Sequence, residues 1–295
     1  MKNKRYLYNE MAKIIRIKNA RLFKRRLTES EMLAGLPYCY GTQDEQGRLS
    51  ELGAVGNGGV VVFNGRHIGR GVQIVAANKE FVDLALPLPS TGFDVDVLYD
   101  LAKSIARKWS SKTIIDVDIE KAIPLQDVDV LRERDYAANV ELLNKADSFK
   151  QSVVKLPCVM HPISIDAQTL KSFGTKETYA LFAEYLHSRQ RISAYYSSAV
   201  IGSLPGVEGV SGYYVLIDDG DMILPIKPDA AYKDGDEMRE CDHYLVAFGS
   251  GSALLKADFD KFINKVPANL IEPFDAGHWH IKPLSRELLE SLFNS

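Results

Sequence analysis

Apolar residues in this chain keep one rhythm, then change it, then change back. Val60–Asn64, Gly71–Ala77 and Phe81–Leu88 are β-prone runs, with Val72, Ile74 and Ala76 on one face of the second. Over Asp94–Trp109 the apolar positions Val97, Leu98, Leu101, Ile105 and Trp109 fall at helical spacing, and Thr113–Val117 returns to a strand pattern. Tyr213–Ile281 repeats this order of strand, strand, strand, helix, strand. The pattern predicts an α+β fold made of two similar units, each a mainly antiparallel sheet with helices packed on one side.

Local signals add detail. Lys13–Lys18 (KIIRIK) mixes isoleucines with basic residues and predicts an edge strand, where charge discourages stray pairing. Thr28-Glu29-Ser30-Glu31 has the spacing of a capping box and predicts a short helix that ends near Gly35. Asp94 is expected to cap the following helix. The glycine-rich loop 53–59 runs into a strand and lacks Gly-Lys-Ser or Gly-Lys-Thr, so it reads as a turn and not as a phosphate cradle. Asp218-Asp219-Gly220-Asp221 between two β-prone runs predicts a hairpin, with Pro225 marking an edge strand. Lys176–Gln190 and Ser285–Phe293 predict helices, the second carrying a leucine stripe suited to its own core. The expected organisation is an N-terminal unit over 1–150 with a basic arm, a helical connector over 151–205 and a C-terminal unit over 206–295.

Composition narrows the class. With 295 residues, 46% hydrophobic and 25% charged, the chain suits about two globular domains and argues against disorder. Three widely spaced cysteines, with no CxxC pair, fit a reducing, cytoplasmic setting. No apolar run approaches the ~18 residues of a membrane span, so no membrane partner is assigned. The net charge of −3 conceals a basic arm, since residues 1–30 carry +8 and the remainder −11. Such an arm can bind nucleic acid, but no nucleic-acid fold signature accompanies it. The reading therefore disfavours nucleic acid and expects the arm to lie in solvent or on the acidic body. Met1 and Met11 both remain candidate starts.

Candidate chemistry is sparse. In His278-Trp279-His280 the two imidazoles would share one face of a strand. Cys241-Asp242-His243 has the same spacing. If the two segments were neighbours in one sheet, Cys241, His243, His278 and His280 could bind zinc. Cys158 near His161 invites a thiolate–imidazole reading, but its apolar neighbours favour a buried thiol. The acidic pairs Asp94/Asp96, Asp116/Asp118 and Asp127/Asp129 read as caps and turns. Tyr195, Tyr196, Tyr213 and Tyr214 flank the glycine-containing loop 202–212 and could line a recognition groove. No GxSxG, HExxH or Walker signature is present.

The run Phe81–Asp100, with Gly212-Tyr213-Tyr214-Val215-Leu216 and Ile223–Pro228, resembles an uncharacterised bacterial family of about this length with no assigned activity. That resemblance implies a bacterial cytosolic protein and transfers no catalytic residue. The reading that follows is a protein of unknown function that binds another protein or a peptide and uses no cofactor. The alternative is a zinc enzyme built on His278 and His280. Oligomeric state is left open.

Overall fold

The structure is a computed structural model and describes residues 12–43, 49–50, 59–149, 152–203, 206–228, 230–235, 237–249 and 254–294. Among the described residues the fold is mixed α+β, with seven helices and mainly antiparallel sheets. It divides into two compact units, Met1–Arg191 and Ile192–Ser295. The stretch 151–205, expected as a helical connector, is thus shared between them, and it contains strands as well as helices.

In the first unit, eight strands form one sheet: β1 (Ala12–Lys18), β2 (Cys39–Gln43), β3 (Leu49–Ser50), β4 (Val60–Phe63), β5 (Val72–Ala77), β6 (Phe81–Pro87), β7 (Thr113–Asp116) and β8 (Lys121–Pro124). Their order is β3-β2-β4-β5-β6-β1-β7-β8, antiparallel throughout. The helices of this unit are α1 (Glu29–Leu33), α2 (Gly92–Lys108), α3 (Val128–Asn144), α4 (Ala167–Ser172) and α5 (Tyr179–Gln190). The short hairpin β9 (Val153–Leu156) and β10 (Ile163–Asp166) lies between α3 and α4. Val95, Leu98, Leu101, Ala102 and Ile105 of α2 are buried in one core with Ile15, Ile17, Val82, Leu84 and Leu86. That burial is the main reason a helix with this spacing settles on the sheet.

β1 is not an edge strand. It lies between β6 and β7, and two of its three basic residues, Lys13 and Arg16, are neutralised by aspartates on those neighbours. Arg16 makes a bidentate pair with Asp83 at 2.7 and 2.8 Å, and Lys13 pairs with Asp116. Charges that look like edge protection along one strand are here cross-strand ion pairs.

The predicted capping box at α1 is present. The Glu31 amide donates to the Thr28 hydroxyl at 3.2 Å, and the Thr28 amide to the Glu31 carboxylate at 2.9 Å. At α2 the cap is Thr91, with Asp94 as the reciprocal third residue. Asp94 also accepts from the Arg70 and Gly71 amides at 3.1 and 2.8 Å, so one buried carboxylate fixes both the helix start and the turn before β5. The glycine-rich segment 53–58 lies outside the described residues.

The second unit contains β11 (Tyr195–Tyr196), β12 (Ala199–Gly202), β13 (Ser211–Val215), β14 (Met222–Pro225), β15 (Ala231–Asp234), β16 (Glu237–Glu240), β17 (His243–Phe248), β18 (Leu255–Asp258), β19 (Ile271–Asp275) and β20 (His278–Ile281), with α6 (Phe259–Ile263) and α7 (Arg286–Asn294). Two four-stranded sheets result, β11-β14-β20-β19 and β12-β13-β17-β18, and β15 pairs with β16 as a separate hairpin. β11 with β14 and β13 with β17 are the parallel pairs. The stripe of α7 sits in the unit's own core through Leu289 and Leu292, beside Leu284.

The hairpin expected across Asp218–Asp221 does not form, because β13 and β14 belong to different sheets. Tyr214 of β13 and Met222 and Leu224 of β14 enter one shared core. Burying those side chains places the strands on two sheets around that core instead of side by side. Asp219 turns the chain between them at φ 53°. β14 also lies inside its sheet, and Pro225 is tolerated because, among the described residues, β11 pairs only with Met222 and Ile223, which leaves Pro225 without a strand partner on that side.

Candidate functional site

The two histidines stand where period two puts them. β20 runs between β14 and β19, with Trp279 and Ile281 packed with the core and His278 and His280 on the opposite face. His278 is 5% exposed and Asp275 8% exposed. His278 Nδ1 lies 2.8 Å from Asp275 Oδ1, and its Nε2 lies 2.6 Å from the Tyr196 hydroxyl. A carboxylate oxygen accepts, so Nδ1–H donates to Asp275, and the second bond joins Nε2 to the phenol oxygen. The Gly277 amide donates to the same Asp275 oxygen at 2.8 Å, which fixes the carboxylate. The result is a buried carboxylate–imidazole–phenol line across three strands.

His280 is held differently. Its Nδ1 faces Glu272 at 3.0 Å and its Nε2 faces Asp221 at 2.8 Å. Hydrogen bonds from His280 and Lys282 hold the Glu272 carboxyl below its ordinary range. All four ring nitrogens of the pair are therefore engaged by protein groups, and a metal would have to displace one of them. His243 opens β17, in the other sheet, and Cys241 precedes that strand, so the arrangement required for a four-residue zinc set is not formed. Burial, with the Asp242 charge, pushes the Cys241 thiol up. Among the described residues, no group of three or more His, Cys, Asp or Glu is placed to hold a metal ion.

The four tyrosines do not line one groove. Tyr195 packs against the core and Tyr214 lies within it, with the Tyr214 ring edge-on to Phe259 at 5.2 Å. Tyr196 joins the His278 line, and Tyr213 is in the other sheet. There Tyr213 stands in a cross-strand row, Val200–Tyr213–Leu245, on the opposite side of the sheet from Tyr214. β12 ends that sheet, and Val200 and Ile201 are each 42% exposed. In the first unit Cys158 and His161 are both buried. The described part of the basic arm is largely engaged within the chain, through Lys13 with Asp116, Arg16 with Asp83, Lys24 with Glu80, Arg25 with Glu31 and Arg26 with Glu29.

Two features went unread in the sequence. Asp275 belongs to Asp-Ala-Gly-His, a tight turn between two β-prone runs, and that turn is the local signal for its bond to His278. Ala199-Val200-Ile201-Gly202 carries no charge, the signal of a strand that does not protect its edge.

These features define a mixed α+β protein with a buried polar line on one sheet and an uncharged edge on another. The chain matches the model of the family described as Domain of unknown function (DUF4299) over residues 12–292, and it belongs to that family. No curated protein and no solved structure matches it.

Proposed function

We propose that the chain is a cytosolic binding protein that accepts an extended segment of another polypeptide along β12. One observation carries this reading. Among the described residues, β12 has a strand neighbour on one side only, and it exposes Val200 and Ile201 in a strand with no charged residue. Edge strands in natural proteins are commonly blunted by charge or proline, and β12 has neither. An added strand would satisfy the open backbone groups, and the Val200–Tyr213–Leu245 row would select alternate side chains of the guest. The three free cysteines, two of them buried, fit a reducing compartment. The Asp275–His278–Tyr196 line reads as a structural lock in this account. The zinc-enzyme alternative has less support, because both histidines already spend their ring nitrogens on protein partners.

Selection of displayed extended peptides against the full chain tests the reading. Bound peptides should protect the amides of 199–202 from hydrogen exchange and should lose at least about tenfold in affinity to a Val200→Lys/Ile201→Lys variant. Selected peptides that protect a different surface would refute it. Stoichiometric zinc in untagged protein, lost in a His278→Ala/His280→Ala variant, would replace it with the enzyme reading.

A further inference from the structure

Leu22 and Phe23 are 89% and 87% exposed, the two highest values among the exposed large hydrophobic residues, and they are consecutive. Their loop is built, not loose. All of residues 20–26 are exposed, between buried Asn19 and buried Leu27. The Asn19 amide donates to Glu80 O at 2.8 Å, its side chain donates to Lys79 O at 2.9 Å and to Arg25 O at 3.4 Å, and the Arg21 amide closes on Asn19 Oδ1 at 3.1 Å. Asn19 thus ties the two limbs together and holds the tip outward.

The surroundings of the tip are cationic. Lys24, Arg25 and Arg26 are paired with carboxylates, whereas Lys18, Arg21 and Lys79 are exposed with no carboxylate at ion-pair distance among the described residues. Lys18, Arg21, Lys24, Arg25, Arg26 and Lys79 outnumber Glu29, Glu31 and Glu80 in and beside the loop, and this excess of positive charge at an apolar tip matches an apolar layer lying under an anionic plane.

The geometry points to this loop as a docking element for an anionic lipid surface, with Leu22 and Phe23 entering the headgroup boundary and Lys18, Arg21 and Lys79 facing the anionic headgroups. Such contact is peripheral and needs no spanning helix. Seven loop residues are too few for a standard protein interface of about 800 Å² per partner, but two inserted side chains with several cations suffice for weak, reversible membrane binding.

Flotation of the full chain with phosphatidylcholine vesicles, with and without phosphatidylserine, tests the assignment. Binding should require phosphatidylserine and weaken with salt. A Leu22→Ser/Phe23→Ser variant, altered only at exposed positions, should keep its melting temperature and lose about a hundredfold or more in partitioning. An Arg21→Glu/Lys79→Glu variant should also release the protein. A Phe23→Trp variant should blue-shift its emission on anionic vesicles. Absence of vesicle binding, binding that survives the serine variant, or unchanged tryptophan emission on bound vesicles would overturn the assignment. So would a tip that recruits only a protein partner.

Discussion

Asp116→Asn removes a charge from the interior of the first unit while keeping the shape of the side chain. Asp116 is fully buried, and its Oδ2 takes both Lys13 and, at 2.9 Å, Arg134. Lys13 is 9% exposed on its side chain, so loss of its counter-charge leaves a buried ammonium. Breaking one partner of a buried pair costs about 3–5 kcal/mol. The low end, ~3 kcal/mol, applies here for two structural reasons. Asp118 lies 3.5 Å from Lys13 and retains part of the pairing, and the Arg134 side chain is half-exposed and can turn to water. The two tryptophans make the assay specific, because Trp109 lies in the first unit's core and Trp279 packs against that of the second. In a Trp279→Phe background, urea unfolding followed by Trp109 emission reports the first unit alone.

The pH dependence has a definite sign. Burial pushes the Asp116 carboxyl up, but the Lys13 and Arg134 hydrogen bonds outweigh it and hold the group below its ordinary range. A depressed carboxyl stabilises the fold fully above its unfolded value of about 3.9 and loses that contribution as pH falls through the folded value. The gap between wild type and Asp116→Asn should therefore be widest near neutrality and close in acid. A Lys13→Met/Asp116→Leu variant, which removes both charges, should recover to within about 1 kcal/mol of wild type. An Asp116→Asn protein within about 0.5 kcal/mol of wild type at neutral pH would refute this reasoning.

Three further outcomes are expected. Tyr196→Phe leaves His278 Nε2 buried without its hydrogen-bond partner and should cost about 1–3 kcal/mol, seen as faster hydrogen exchange in β20. Asp94→Ala removes the capping partner of α2 and strands the Arg70 and Gly71 amides, so the thermal midpoint should fall by the equivalent of about 2–4 kcal/mol. Ser211→Ala removes a buried hydroxyl that has no hydrogen-bond partner among the described residues and should leave the melting temperature unchanged or higher. A loss above about 1 kcal/mol would show that this hydroxyl is satisfied in solution.

Short-range physics was legible in the chain. The capping box at Thr28, the amphipathic α2, the leucine stripe of α7 and the shared face of His278 and His280 all follow from spacing, because side-chain direction is set by the local backbone. Pairing was not legible. β1 looked like an edge because its lysine and arginine are visible in the sequence, while the aspartates that neutralise them lie far along the chain. The Asp218–Asp221 turn looked like a hairpin because a turn signal says that the chain reverses and not which sheet it rejoins. The tertiary structure alone brought Tyr196 to His278, divided the tyrosines between two sheets and, among the described residues, left β12 with one open side. Each of these depends on which distant segment covers a face, and that is decided by burial of the whole core.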